Sequence, residues 1–262
     1  MMSIFVNGAP ASADDLAHVA LVNYGAFTSF RVEAGGVRGL DLHLARLEIS
    51  ARELFGEAVG EARLRQLMRD AVQERSDCWL KVQLFAPEVS PRTPEWTGTP
   101  RVMIAIFPPP APLAGGLALQ SQVYGREAPR LKHVATFGLV RSRRTARAAG
   151  FDDALFVDAA GWISEGSLWN IGFVRGEEIV WPEAPMLAGV GQAVLERGLA
   201  GAGLASGTEP VRLADLSGFD SAFICNSATP AAAVASIDGH AFGPPPMEAL
   251  RAAWASQPFQ PI

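Results

Sequence analysis

Residues 107–116 read FPPPAPLAGG, and no other stretch limits the architecture of this chain as sharply. Proline fixes φ and has no amide proton, so Pro108, Pro109, Pro110 and Pro112 exclude both a helix interior and a central strand. A β-forming run, 101–107, ends where the prolines begin, and another, 117–124, starts after Gly115 and Gly116. A stiff Pro-Gly segment between two strands marks a domain boundary. The expectation is a small N-terminal α+β domain over residues 1–112, a linker at about 108–116, and a larger C-terminal α+β domain over 117–262.

The rest of the pattern fits two such domains. On the N-terminal side, strands are expected at 3–6, 26–33, 37–40, 79–85 and 101–107, with turns at Asn7-Gly8 and at Ala34-Gly35-Gly36. Asp41 is the expected cap of a helix whose apolar stripe is Leu44, Leu47, Ala51 and Leu54, and Gly56 ends it. A second helix is expected over 61–74, with Leu64, Leu67, Met68, Ala71 and Val72 on one side. On the C-terminal side a helix stops at Gly150. Strand 154–157 and a turn at 158–161 follow, then a hairpin pairing 171–174 with 178–181. A helix after Gly191, a buried strand at 221–225, a hairpin from 234–237 and a short helix at 248–255 complete the chain. Helices and strands mix without strict βαβ alternation, so the fold class is α+β.

Composition narrows the function. Among 262 residues, 49% are hydrophobic and 19% charged, which suits a folded soluble chain. The net charge of -5 gives no general attraction for phosphate backbones, so nucleic acid is not an expected partner. Arg141, Arg143, Arg144 and Arg147 interleave with small polar residues and no aromatics, the pattern of a solvated helix face. Cys78 and Cys225 lie far apart, and the four histidines form no ligand pattern, so no metal site is expected. No signal peptide or spanning apolar run is visible, and the expected location is the cytoplasm.

Several residues could carry chemistry. Lys81 and Lys132 are the only lysines, in a chain that otherwise uses arginine for positive charge. Lysine can form a Schiff base where arginine cannot, and Lys132 follows a loop; it is also readable as a surface lysine. Glu165, in GWISEGSLWNI, could bond a protonated ring nitrogen or cap local amides. Arg46, off the centre of its helix's apolar stripe, could hold a phosphate bidentately or lie in solvent. Gly189-Val190-Gly191 leads into a helix whose first amides would suit an anion. Ser227 and Thr229 offer hydroxyls after a buried strand.

In order along the chain, IFVNGAP, DLHLARLEISA, LKH, GFDDALFVDAAGWISEGSLWNI, LAGVGQ and ICNSATP together resemble the class IV aminotransferase family, the fold-type IV enzymes that use pyridoxal 5′-phosphate. The family includes branched-chain and D-amino-acid transaminases and 4-amino-4-deoxychorismate lyase, and the resemblance covers nearly the whole chain. It implies a two-domain α+β fold like that of D-amino-acid aminotransferase, with the cofactor between the domains and the Schiff-base lysine in the C-terminal one. It also implies a homodimer. Lys132 would be that lysine and would move protons. Glu165 would pair with the pyridine nitrogen. Arg46, the amides of Val190 and Gly191, and Ser227 with the Ala228 amide would hold the phosphate.

The implied activity is transfer of an amino group between an amino acid and a 2-oxo acid. Conversion of 4-amino-4-deoxychorismate to 4-aminobenzoate, and a non-catalytic cofactor-binding relic, are the alternatives. The chain departs from the family in four places. Thr28 stands where many members have glutamate. LAGVGQ replaces LPGITR, which removes a threonine hydroxyl from the phosphate loop. Phe137 replaces the tyrosine that branched-chain transaminases carry five residues after the lysine. Val134-Ala135-Thr136 follows LKH where the lyase has an Asn-Arg pair.

Overall fold

The computed structural model describes residues 3–262. In chain order the elements are β1 (Ser3–Val6), β2 (Ala9–Pro10), α1 (Ala13–Leu21), β3 (Ala26–Glu33), β4 (Gly36–Arg38), α2 (Leu40–Phe55), α3 (Glu61–Val72), β5 (Asp77–Phe85) and β6 (Arg101–Phe107). After the proline run come β7 (Leu117–Val123), α4 (Phe137–Ala148), β8 (Asp153–Val157), β9 (Ile163–Gly166), β10 (Asn170–Arg175), β11 (Glu178–Pro182), α5 (Val190–Leu199) and β12 (Ala205–Glu209). The chain ends with β13 (Ser221–Cys225), β14 (Ala232–Ile237), β15 (His240–Ala241), α6 (Met247–Ala255) and β16 (Phe259–Pro261). Helices and strands share both units, as the α+β expectation required.

The chain divides into two compact units. The first holds the chain up to Pro110, together with Leu131–Ala135 and Phe259–Ile262; the second holds Ala111–Arg130 and Thr136–Pro258. Thus Lys132, expected in the C-terminal domain, packs with the N-terminal unit. The reason is backbone pairing. Phe27 N donates to Lys132 O at 2.9 Å and Val134 N donates to Gly25 O at 2.9 Å, so residues 131–135 lengthen the sheet at the start of β3. Phe259–Pro261 joins the same sheet by pairing antiparallel with β4.

The first unit is a seven-stranded sheet, ordered β16-β4-β3-β5-β6-β1-β2. Alternation along β3 and β5 gives it two faces. Phe30, Val32, Leu80, Val82 and Leu84 turn inward onto Leu44, Leu47 and Phe55 of α2 and Leu64, Leu67 and Met68 of α3. The stripe read on 61–74 is therefore core, although the helix stops at Val72. Asp41 does not cap α2. Gly39, at φ 70°, is the N-cap, and the Asp41 amide instead donates to Gln260 Oε1 at 2.8 Å. A left-handed φ there costs glycine little, and it turns the chain sharply from β4 into α2.

The second unit is a nine-stranded sheet, β12-β11-β10-β13-β14-β7-β8-β9, with β15 alongside β14. Its pairings are mixed: β7 runs parallel to β8 and β14, while β10 runs antiparallel to β11 and β13. One apolar cluster gathers Leu155, Ile171, Phe173, Ile224 and Val234. Another joins Trp181, Phe223 and Cys225 to Leu195 of α5 and Leu250 of α6. Strands covered on both faces read as unbroken apolar runs, which explains ALFV, IGFV and AFIC in the sequence. Among the described residues, no helix is long and apolar enough to cross a membrane.

Candidate active site

In the first unit, Lys132 and Lys81 meet near one end of β3. Lys132 Nζ lies 5.0 Å from the centre of the Phe27 ring, and Lys81 Nζ lies 4.5 Å from the same ring. Both lysines of the chain therefore address a single aromatic side chain. The register explains Lys81. Phe27 pairs with Gln83 and Ser29 with Lys81, so all four side chains share the sheet face opposite α2 and α3. Lys81 is half-buried, has no carboxylate within ion-pair distance among the described residues, and is pushed to a lower pKa by burial. The sequence offered one signal for it: lysine is rare here, and Lys81 sits at a face-alternating position of a strong strand.

Arg46 lies half-buried on α2, one turn after His43. His43 is buried, and its imidazole is held well below its ordinary pKa. Burial is the main cause, and the positive charges of Arg46 and Lys132 add to it, against Asp41. Gly25, just before β3, is required by close approach: a Cβ there would collide with the Leu84 carbonyl.

In the second unit, Glu165 sits in β9, a strand and not the loop after it, and is 4% exposed. Its Oε1 accepts a hydrogen bond from the Leu187 amide at 3.1 Å and lies 3.8 Å from Arg126 Nε. Leu187 is held at its other end as well, because its carbonyl accepts from Asn170 Nδ2 at 2.9 Å. A Cβ on Gly189 would strike the Asn170 side chain. The carboxylate and the chain entering α5 are thus fixed to one another by a short set of buried bonds.

Val190 and Gly191 open α5, after Gly189 as N-cap, and no side chain caps the helix. The first-turn amides of such a helix lack internal partners and carry the positive end of its dipole. Gly191 packs against the turn at Asn226: an added Cβ would lie 2.6–2.8 Å from Asn226 backbone atoms. Ser227 and Ala228 follow Asn226 in that turn. The Ala228 amide is already used, donating to Asn226 Oδ1 at 2.9 Å. Thr229 is buried, and its Oγ1 accepts from the Leu113 amide at 2.9 Å, which makes it a tie to the chain leaving the proline run.

Much of the long motif is scaffold. Asp153 accepts from Ser167 Oγ at 2.7 Å and Trp169 Nε1 at 3.1 Å, and lies 3.4 Å from Arg143 Nε. Arg143 therefore turns inward, unlike exposed Arg141, Arg144 and Arg147 on the same helix. Asp158 Oδ1 accepts from the Ala160 and Trp162 amides, both at 2.9 Å, and closes the turn before β9. Phe137 starts α4 and is 78% exposed. No group of three or more His, Cys, Asp or Glu placed to hold a metal occurs among the described residues.

Residues 25–237 match the family model for amino-transferase class IV. No curated protein matches the chain. Among solved structures, the branched-chain amino acid aminotransferase of Escherichia coli superposes with a TM-score of 0.82 at 20% identity, covering 95% of this chain and 92% of that one. A hypothetical aminotransferase from Mycobacterium tuberculosis in PLP-bound form gives 0.77 at 21% identity, covering 98% and 99%. An aminotransferase from Brucella abortus bound to PLP gives 0.81 at 20% identity, covering 97% and 98%. At these identities the likeness is one of fold.

Proposed function

This chain belongs to the class IV aminotransferase family, whose enzymes use pyridoxal phosphate, and from that premise we propose which of its residues do the chemistry and on what substrate. The protein is a pyridoxal-phosphate-dependent aminotransferase that moves an amino group between an amino acid and a 2-oxo acid. Its donor set fits that cofactor: a buried carboxylate for a ring nitrogen, an uncapped glycine-lined helix start and a serine hydroxyl for phosphate, and a lysine for the carbonyl.

When bound, pyridoxal phosphate supplies an electron sink for the substrate's Cα electrons. We assign Lys132 as the residue that would hold the cofactor carbonyl and carry the proton at the substrate Cα. Glu165 keeps the pyridine nitrogen protonated, because an adjacent carboxylate favours the charged form of a base. Leu187 and Arg126 hold that carboxylate in place. Arg46, the Val190 and Gly191 amides and Ser227 bind phosphate. The Ala228 amide can join them only by leaving Asn226 Oδ1.

The observation that carries the substrate reading is the convergence of Lys81 and Lys132 on Phe27. A half-buried ammonium with no acidic partner is costly unless an anion arrives to pair with it. Lys81 is the group we assign to a substrate carboxylate. We further assign the chain to a homodimer in the cytoplasm; its family resemblance supports the dimer, and light scattering of the purified protein tests it.

The deciding experiment pairs a spectrum with a product assay. The wild-type protein with pyridoxal phosphate is expected to show a visible band that borohydride bleaches and that Lys132→Ala lacks. Supplied with amino acid and oxo acid pairs, it is expected to exchange amino groups. Release of pyruvate and 4-aminobenzoate from 4-amino-4-deoxychorismate would replace transamination with the lyase reading. A protein that binds the cofactor without turnover of either kind would be the relic.

A further inference from the structure

Thr28 and His43 make a buried contact that the assigned chemistry leaves unused. Thr28 Oγ1 lies 2.6 Å from His43 Nδ1, and the two residues are 0% and 1% exposed. Thr28 is the polar member of the core face of β3, between Ala26 and Phe30. His43 is in the first turn of α2, and its ring centre is 4.6 Å from that of Phe30. The hydroxyl fixes one edge of the imidazole and the phenyl ring fixes one face, which leaves it a single orientation.

The contact joins two carriers. The start of β3 holds residues 131–135 through the Phe27–Lys132 and Val134–Gly25 backbone bonds, each 2.9 Å. Helix α2 carries Arg46 one turn beyond His43. We propose that Thr28 and His43 form an uncharged positioning pair that locks the strand bonded to the Lys132 segment against the helix that carries Arg46. The pair thereby keeps the Schiff-base lysine and the phosphate arginine in register.

The charges facing His43 favour a neutral ring. Arg46 on its own helix and Lys132 on the bonded segment are positive, Asp41 is the opposing charge, and β3 presents only Thr28 and Phe30. With the ring neutral, the contact selects one tautomer: either the hydroxyl donates to Nδ1 and the ring proton resides on Nε2, or Nδ1–H donates to the hydroxyl oxygen. Many family members carry glutamate at this position, and a carboxylate would hold a proton on the histidine. Threonine supplies the hydrogen bond without the charge.

The proposal rests on the cofactor reading above, and its test separates the two. In the cofactor-free full-length chain, nitrogen NMR of the imidazole is expected to show His43 as a single neutral tautomer that stays neutral below the ordinary histidine pKa of ~6.5. Thr28→Ser should keep that signature. Thr28→Val should change the tautomer signature while the ring stays neutral, because burial and the charges of Arg46 and Lys132 remain. With pyridoxal phosphate, Thr28→Val is expected to weaken cofactor binding about tenfold, while Thr28→Ser stays within about twofold of wild type. A purely structural threonine would lower thermal stability without changing the tautomer signature. An imidazolium in the wild type at pH 7, or equal tautomer signatures and affinity for the Ser and Val variants, overturns the pair. Should Thr28→Val fail to fold, Thr28→Ala takes its place in the same comparison. If no variant or wild type takes up pyridoxal phosphate, the cofactor reading falls and the cofactor-free tautomer signatures still decide the pair.

Discussion

Lys132 and Glu165 are held in opposite ways. Lys132 sits on a five-residue segment bonded to β3 through backbone groups, with its side chain half-buried over Phe27. Glu165 sits within a strand, and it is the carboxylate itself that is gripped, by Leu187 N and beside Arg126. The segment that carries Lys132 is positioned by its backbone. A group that must keep one charge in one place is positioned by its own atoms. The difference predicts that substitutions at the lysine erase chemistry with little cost in stability, whereas those at the carboxylate cost both.

The largest effect tests that contrast directly. Lys132→Ala should lower turnover roughly a thousandfold or more while the melting temperature stays near wild type. A melting temperature that collapses would break the contrast, because the side chain would then be structural. Glu165→Gln should lower turnover by about a hundredfold and also reduce stability by about 1–3 kcal/mol, since a buried hydrogen-bonded carboxylate is lost beside Arg126. Calorimetry and steady-state rates on the same sample check both halves.

Lys81→Met sharpens the account of the lysine side. KM for the acidic substrate should rise about tenfold to a hundredfold with kcat little changed, as expected for a lost charge-assisted bond. Its pH dependence has a definite sign. Lys81 is cationic below its lowered pKa and neutral above, so KM should climb with rising pH sooner than an ordinary lysine would allow. An unaltered KM in Lys81→Met removes the anion role. On the other unit, Gly191→Ala should cost about 1–3 kcal/mol of stability, and weaken cofactor binding more than turnover, because the new methyl meets Asn226 backbone.

The smallest effect is a slope. His43 has a depressed folded-state pKa, so below about pH 6.5 the unfolded chain takes up a proton that the folded chain refuses. Stability should therefore fall as pH drops, by at most about 1.4 kcal/mol per pH unit from this group. Denaturant titrations at pH 7 and 5.5 measure it, and His43→Asn should flatten the slope.

The residues show what could be read in advance. Strand periodicity gave β3 and β6 at their observed ends, because alternation and β-branching are local properties. Glycine before a helix gave Val190 and Gly191, for the same reason. The tie between Asp41 and Gln260 spans the whole chain, so a local rule for caps placed the N-cap wrongly. The pairing of residues 131–135 with β3 was equally invisible, since it depends on where an unpaired strand end lies in space. Lys81 was visible as a rarity but not as a neighbour of Lys132, because only the β3–β5 register brings both to Phe27.

By itself the sequence determined the α+β pattern and the order of motifs that marks the family. These follow from backbone propensity, apolar spacing and the chemistry each residue type can perform. Tertiary structure alone decided which unit holds Lys132, that Glu165 is gripped by Leu187, that the Ala228 amide serves its own turn, and that Thr28 faces His43. Each is a meeting of groups distant in sequence or of a side chain with a particular backbone atom, and the packing free energy that selects it is a property of the whole fold.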